Sequence, residues 1–257
     1  MSAARQMTAR IQESIRADAC RGRDSERIGP FLATFNRDDE NPFLNYAFPD
    51  EGASPSAADV SALIAAYSKR TRRPRLEYIP SLAPDVEPVL LAEGFGVEGR
   101  LPLMACMGAS STRALSVDGI ELVAPSSESE FRAAASVQWE AYEEGGVVPQ
   151  RVVDGLRRTA DAGGVVVLAR DLTTNEPAGA GLCTVPHQGL TELTSVGVRA
   201  PFRRRGIAAA MTGRLAAEAF ARGVAGVFLM ARGEAEARIY ARAGFALESE
   251  VLHISRP

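Results

Sequence analysis

Three consecutive arginines, Arg203, Arg204 and Arg205, precede Gly206 and an apolar stretch in which Ile207, Met211 and Leu215 recur every fourth residue. That spacing puts the three apolar side chains on one face of a helix that starts just after the glycine. A helix N-terminus presents backbone N–H groups without helical partners and a partial positive charge, so anions collect there. A glycine at the entry lets a bulky anion approach the backbone, and neighbouring guanidinium groups add charge-assisted hydrogen bonds. The chemistry this suits is the binding of a pyrophosphate. No GxxxxGK[ST] run is present and the stretch lacks GxGxxG spacing, which argues against a P-loop or a dinucleotide-binding turn. Taken alone, the four residues also read as a solvated basic turn.

The rest of the composition supplies no competing chemistry. The 257 residues carry a net charge of −3, with 46% hydrophobic and 24% charged residues, the usage of a globular protein. Such a balance exerts no global pull on nucleic acid or membrane, so an anion site must be a local concentration of charge. Cys20, Cys106 and Cys183 are far apart, and His187 and His253 are the two histidines. Neither a zinc site nor a disulfide framework fits these spacings, and a reducing compartment is expected. Met7, Ile11 and Ile15 give the N-terminal residues the period of an amphipathic helix rather than a signal peptide, and no apolar stretch is long enough to span a bilayer. The expectation is a cytoplasmic protein with no metal.

Elements on either side must position the arginine loop. Val196, Gly197 and Val198 end a strand before it, and a helix from Ile207, a strand over 226–232, a helix over 234–245 and a strand over 249–255 follow. Upstream, 119–125 and three successive segments within 163–198 read as strands, with a helix over 127–146. In the first half the pattern predicts a strand over 41–50, a helix after a cap at Ser56 or Asp59, a strand over 75–80, a short helix ending at Gly94, and a strand over 100–107. Residues 23–29 read as a polar loop. The small-residue segment 108–115 is the expected linker, dividing the chain into 1–113 and 114–257.

Sliding the sequence on itself by 150 residues superimposes Gly94-Phe95 on Gly244-Phe245 and Glu98 on Glu248, and the order of elements agrees. Both halves are therefore expected to share one fold.

Around the arginine loop the chain resembles the GCN5-related N-acetyltransferase (GNAT) family. The family signature of Arg or Gln, two residues, Gly, one residue and Gly or Ala is met by Arg203, Arg204, Arg205, Gly206, Ile207 and Ala208, after a valine and a proline lead-in. A second signature, a tyrosine four residues before Gly-Phe, is met by Tyr240. The resemblance implies an α/β class and a tandem acyl-CoA N-acyltransferase (GNAT) fold, with a mixed, splayed β-sheet flanked by helices in each half. It implies acetyl-CoA as co-substrate, with its pyrophosphate on the loop amides and its arm along Val196, Gly197 and Val198. An oxyanion donor is implied at the N–H of Gly197 or Val198, with Gly197 permitting a bulge. Glu192, eleven residues before Arg203, stands where relatives of the histone-acetyltransferase type carry a base, and Tyr240 is the implied acid. A base is needed because an amine with pKa near ~10.4 is protonated at pH 7, and a phenol near ~10 can protonate a departing thiolate. An asparagine common in the family seven residues before the tyrosine is here Gly233. Trp139, Tyr142, Glu143 and Glu144 close the helix over 127–146, a region that by the resemblance helps select the acceptor.

At the same offset Ala53, Ser56 and Ala58 replace Arg203, Gly206 and Ala208, Leu90 replaces Tyr240, and Pro42 falls on Glu192. The first half is thus expected to be a degenerate GNAT-like domain that packs against the active one. The function implied is transfer of acetyl to a primary amine, on a small molecule or peptide, by direct attack in a ternary complex. The alternatives are a non-catalytic acyl-CoA sensor or interaction module, and nucleic-acid binding through the basic run 69–75, against which its lack of interleaved aromatics counts. Neither nucleic acid nor membrane is expected as a partner; the chain is expected as a monomer, its halves forming a pseudo-dimer, or as a homodimer.

Overall fold

In the computed structural model, which describes residues 3–141 and 146–257, the first helix α1 (Ala3–Cys20) turns Ile11 and Ile15 inward. It is followed by β1 (Asp24–Ile28), β2 (Phe31–Phe35), β3 (Ala47–Pro49), α2 (Ala57–Lys69), β4 (Arg75–Tyr78), α3 (Val86–Ala92) and β5 (Gly96–Met107). The second half runs β6 (Ile120–Val123), α4 (Glu128–Ala141), α5 (Gln150–Asp161), β7 (Val165–Asp171), β8 (Pro177–Cys183), β9 (Leu190–Val198), α6 (Ile207–Ala221), β10 (Gly226–Met230), α7 (Glu234–Arg242) and β11 (Ala246–Ser255). Two elements depart from the sequence reading of the first half. Residues 42–44 form a single 3-10 turn, leaving only Ala47–Pro49 as strand, and 24–28 pair as a strand despite four exposed residues of five. Helix α5 occupies a stretch to which no element had been assigned.

The chain forms two compact units, Met1–Leu103 with Glu248–Pro257, and Met104–Leu247. In the first unit the strand order is β1-β2-β3-β4-β11-β5, with β3 and β4 parallel and β11 antiparallel to β4. In the second unit β6, β7, β8 and β9 form an antiparallel meander, β10 joins β9 in parallel, and β5 lies beside β10. The first unit thus takes Glu248–Pro257, with most of β11, from the second repeat, and the second unit takes only the last four residues of β5, Met104–Met107, from the first. The repeat itself is regular. At an offset of 150, α2 starts with α6, the Gly94 and Gly244 turns coincide with φ of 84° and 103°, and β5 starts with β11. Upstream of α2 the offset changes. Ala47 pairs with Leu76 as Leu190 pairs with Gly226, so Pro49, and not Pro42, stands where Glu192 does.

One face of the first unit's sheet is apolar, with Phe31, Leu63, Tyr67, Leu76, Leu90, Leu252 and Ile254 buried together. Odd-numbered residues of β4 and β11 meet on the other face, as strand alternation requires. There Arg75, fully buried, pairs with Glu77 and, at 2.8 Å, with Glu98. Its Nη2 lies 2.9 Å from His253 Nδ1, and its guanidinium stacks 4.5 Å from the Phe43 ring. The basic run is neutralised in the same way. Arg70 pairs with Glu26, Arg72 with Glu40 and Arg73 with Glu98. Its charges hold the unit together instead of presenting a bare cationic face.

Burial holds the His253 imidazole below its ordinary pKa of 6.5, and Arg75 acts in the same direction against the opposing pull of Glu77 and Glu98. Below pH 6.5 the unfolded chain therefore binds more protons than the folded one, and stability falls with pH, by at most ~1.4 kcal/mol per pH unit. The melting temperature of the first unit should fall as pH is lowered from 7 to 5.5, and H253N should flatten that dependence. An unchanged slope in H253N would contradict the assignment.

Candidate functional site

The strand entering the arginine loop is set by α4. At its start Ser127 Oγ accepts from the Glu130 N–H, and Glu130 accepts from the N–H groups of Ser126 and Ser127, which together with Arg170 hold its carboxyl down at about 2. Helix α4 then lies close on β9, where a Cβ at Gly197 would stand 2.6 Å from the Ala141 Cβ, so only glycine fits. At the far end of β9, Arg199 ties the strand to α4 through Glu140 at 2.8 Å.

Pairing of β9 with β10 stops at Glu192↔Phe228. Beyond it, the last six residues of β9 pair with no strand on that side among the described residues, an edge open to a ligand's amides. On its other edge the register slips. Gly197 faces Ala180 and Thr194 faces Leu182, so Gly181 is opposed by both Ser195 and Val196. This is a β-bulge, with Ser195 at φ 55° in the left-handed region. The bulge expected at Gly197 is thus two residues earlier, and Gly197 serves the close approach of α4. Nothing in the sequence marks Ser195, because a strand serine in a left-handed conformation has no compositional signature; the glycines at 179 and 181 opposite it are the nearest hint.

A single turn, Ala200–Phe202, leads to the arginines. Arg203 Nε donates to Val198 O at 3.0 Å, fastening the loop to the strand end. Arg205 is turned away, 3.5 Å from Asp171 and within hydrogen-bond distance of Asp118 O. Arg204, at φ 64°, is exposed and makes no ion pair or hydrogen bond among the described residues. Gly206 caps α6 at φ 86°, ψ 0°, with no side chain bonded to the first-turn N–H groups of Ile207, Ala208 and their successors. These donors remain available to an anion.

The first half is closed at the corresponding point. Ser56 caps α2 with its Oγ accepting from the Asp59 N–H, and the Asp59 carboxylate accepts from Ser56 N–H at 2.8 Å. A side chain already fills the place an anion would take, and it is itself negative.

Glu192 is half-buried at the last paired position of β9, on the face opposite Leu193, which joins the core beneath α6. Tyr240 is on α7, half-buried against that same core. The loop, the helix start and the strand end are contiguous. Cys183 is buried with its thiol pushed up by desolvation, and Sγ is 3.8 Å from Leu215 O, a packing role. His187 lies in the turn before β9, bridged to Leu190. Tyr142, Glu143 and Glu144 lie outside the described residues. No cluster of three or more His, Cys, Asp or Glu placed to hold a metal occurs among the described residues, and no helix there is long and apolar enough to cross a membrane.

With this geometry in view, the sequence model of the acetyltransferase (GNAT) family matches residues 129–245. Among solved structures, the chain is similar to a GCN5-related N-acetyltransferase from Kribbella flavida, at 24% identity and a TM-score of 0.81, over 98% of this chain and 96% of that one. A GCN5-related N-acetyltransferase from Sphaerobacter thermophilus matches at 20% identity and a TM-score of 0.68, over 89% and 78%. A tandem GNAT protein from the clavulanic acid biosynthesis pathway matches at 12% and 0.59, over 88% and 77%. No curated protein matches by sequence. Residues 129–245 are a domain of the GNAT acetyltransferase family, and the chain as a whole has a tandem GNAT fold.

Proposed function

We propose that the second half, 114–257, binds one acetyl-CoA and transfers its acetyl group to a primary amine on a small molecule or peptide, while 1–113 is a degenerate repeat that binds none. The observation that carries this reading is the contrast between the two helix starts. The start of α6 is uncapped behind a left-handed glycine, and that of α2 is sealed by Ser56 and Asp59. In this reading the pyrophosphate lies on the N–H groups at Gly206, Ile207 and Ala208, with Arg204 as the freest guanidinium and Arg203 and Arg205 shaping the loop. The pantetheine arm runs along Val196, Gly197 and Val198.

Glu192 takes a proton from the acceptor ammonium, directly or through water. The neutral amine attacks the thioester carbonyl, the oxyanion is held by β9 amides, and collapse breaks the C–S bond as Tyr240 gives its proton to the sulfur and is reprotonated by the proton the nitrogen sheds. Direct attack in a ternary complex needs no covalent enzyme intermediate and no metal. The absence of a membrane-length helix among the described residues, together with the cysteine spacing, supports a cytoplasmic protein; the paired basic run argues against nucleic acid as partner. The repeat lets a single chain act as a pseudo-dimer, and a homodimer is the other assembly to test.

Calorimetric titration with acetyl-CoA should give about one site per chain. Two sites would overturn the degenerate half, and none from folded protein would overturn the whole reading. The second reading is an acyl-CoA sensor, which keeps the open start of α6 and needs neither Glu192 nor Tyr240. With any amine that supports turnover, E192Q should lower kcat by about 10²-fold or more at neutral pH and recover as pH approaches the amine's pKa. Y240F should lower kcat with little change in the KM for acetyl-CoA. Turnover unaffected by both substitutions would favour the sensor.

A further inference from the structure

Gln138 is nine-tenths buried on α4, and its Nε2 donates to the backbone carbonyl of Ser195 at 3.1 Å. That carbonyl belongs to the bulge, where Ser195 adopts φ 55° and two residues of β9 face Gly181 alone. The ladder with β8 cannot satisfy both, and a side chain supplies the missing partner. The carbonyl of Ser195 and the N–H of Val196 share one trans peptide plane and point in opposite directions. By fixing the first, Gln138 fixes the second. A non-glycine residue holds a left-handed conformation only where its surroundings over-determine it. Here those surroundings are Gln138 on one side and, on the other, Gly181, where a Cβ would stand 3.1 Å from Val196 Cγ2.

We infer that Gln138 is a positioning residue for acyl transfer. It locks the Ser195–Val196 peptide so that the Val196 N–H, on the edge of β9 that no longer pairs with β10, is aimed as the hydrogen-bond donor to the thioester oxygen. This rests on the acetyl-CoA reading above, and differs from it in assigning the donor to Val196 rather than to Gly197 or Val198, and its control to a helix side chain.

The test follows the carbonyl carbon of bound [1-¹³C]acetyl-CoA by NMR, which needs no acceptor. In the wild-type protein the resonance should move downfield from that of free acetyl-CoA, as a hydrogen-bonded carbonyl does. In Q138M, close in shape but without the donor, the displacement should fall by at least half, while the Kd for CoA itself stays within threefold. Glycine adopts positive φ without penalty, so S195G should restore most of the displacement in the Q138M background. Should Q138M fail to fold, Q138E serves, since its carboxyl donates only when protonated. Its displacement should be absent at neutral pH and return on acidification. A full displacement in Q138M, or in Q138E at neutral pH, would overturn the inference, as would a wild-type resonance unmoved on binding. Wild-type protein that binds no acetyl-CoA would overturn the parent reading, and this one with it.

Discussion

Replacing Gly206 with glutamate should weaken acetyl-CoA binding by more than 100-fold, equivalent to at least ~2.7 kcal/mol. Two effects combine. A carboxylate enters the space in front of the α6 N–H groups, where the proposed complex would hold the pyrophosphate, and any Cβ at φ 86° carries a strain of about 1 kcal/mol. The fold should tolerate the change, since Gly206 is exposed and its Cβ would meet nothing nearer than Val117 Cγ2 at 3.8 Å. G206A separates the two, because it keeps the strain and omits the charge; it should lose no more than about tenfold. Calorimetry on the three proteins, with melting temperatures as a control for folding, decides it. Tight binding by G206E would remove the loop from the anion site and return Arg203–Arg205 to a solvated turn.

The second large effect lies far from that loop in sequence. Leu252 of β11 is fully buried in the first unit's core, opposite Tyr78 in the strand register. Truncation to alanine removes the burial of three carbons and leaves a cavity, a cost of about 2–5 kcal/mol. Because β11 completes the first unit's sheet, L252A should lower hydrogen-exchange protection in β2, β3 and β4, more than 170 residues away along the chain. Leu215→Ala, in the core beneath α6, should act on β7, β8 and β9 instead. Loss of protection confined to 104–247 in L252A would contradict the unit assignment.

What local pattern encodes was legible. Ile207, Met211 and Leu215 announced α6, and the offset from Gly94 to Gly244 announced the repeat, because helix period and glycine turns are written in nearby residues. Strand β1 was not legible, since Asp24, Ser25, Glu26 and Arg27 are polar and exposed and only pairing with β2 makes them a strand. Pro42 was matched to Glu192 because a fixed offset ignores that β3 ends at Pro49, the position equivalent to Glu192, whereas β9 runs on to Val198 before its loop begins. The partners of β5 and β11 were hidden for a different reason. Both strands carry short apolar runs, and an apolar run states that a strand is buried without stating which neighbour it pairs with. At the site, the glycine and arginines were visible as types, but which arginine stays free depends on Asp171 and Asp118, some 34 and 87 residues from Arg205. Gln138 reads as an ordinary helix glutamine until the carbonyl it meets is known.

The crossed membership of β5 and β11 also bears on the ribosome. Translation delivers α1 through β4 early, yet the strand that flanks β4 is made of residues 248–255, so the first unit's sheet stays unfinished until nearly the whole sequence has emerged. During that interval the edge of β4 offers unpaired backbone groups to any extended chain nearby. A nascent polypeptide of this design stays exposed for longer than one built from two self-contained domains, and chaperone demand during synthesis should fall on its first half.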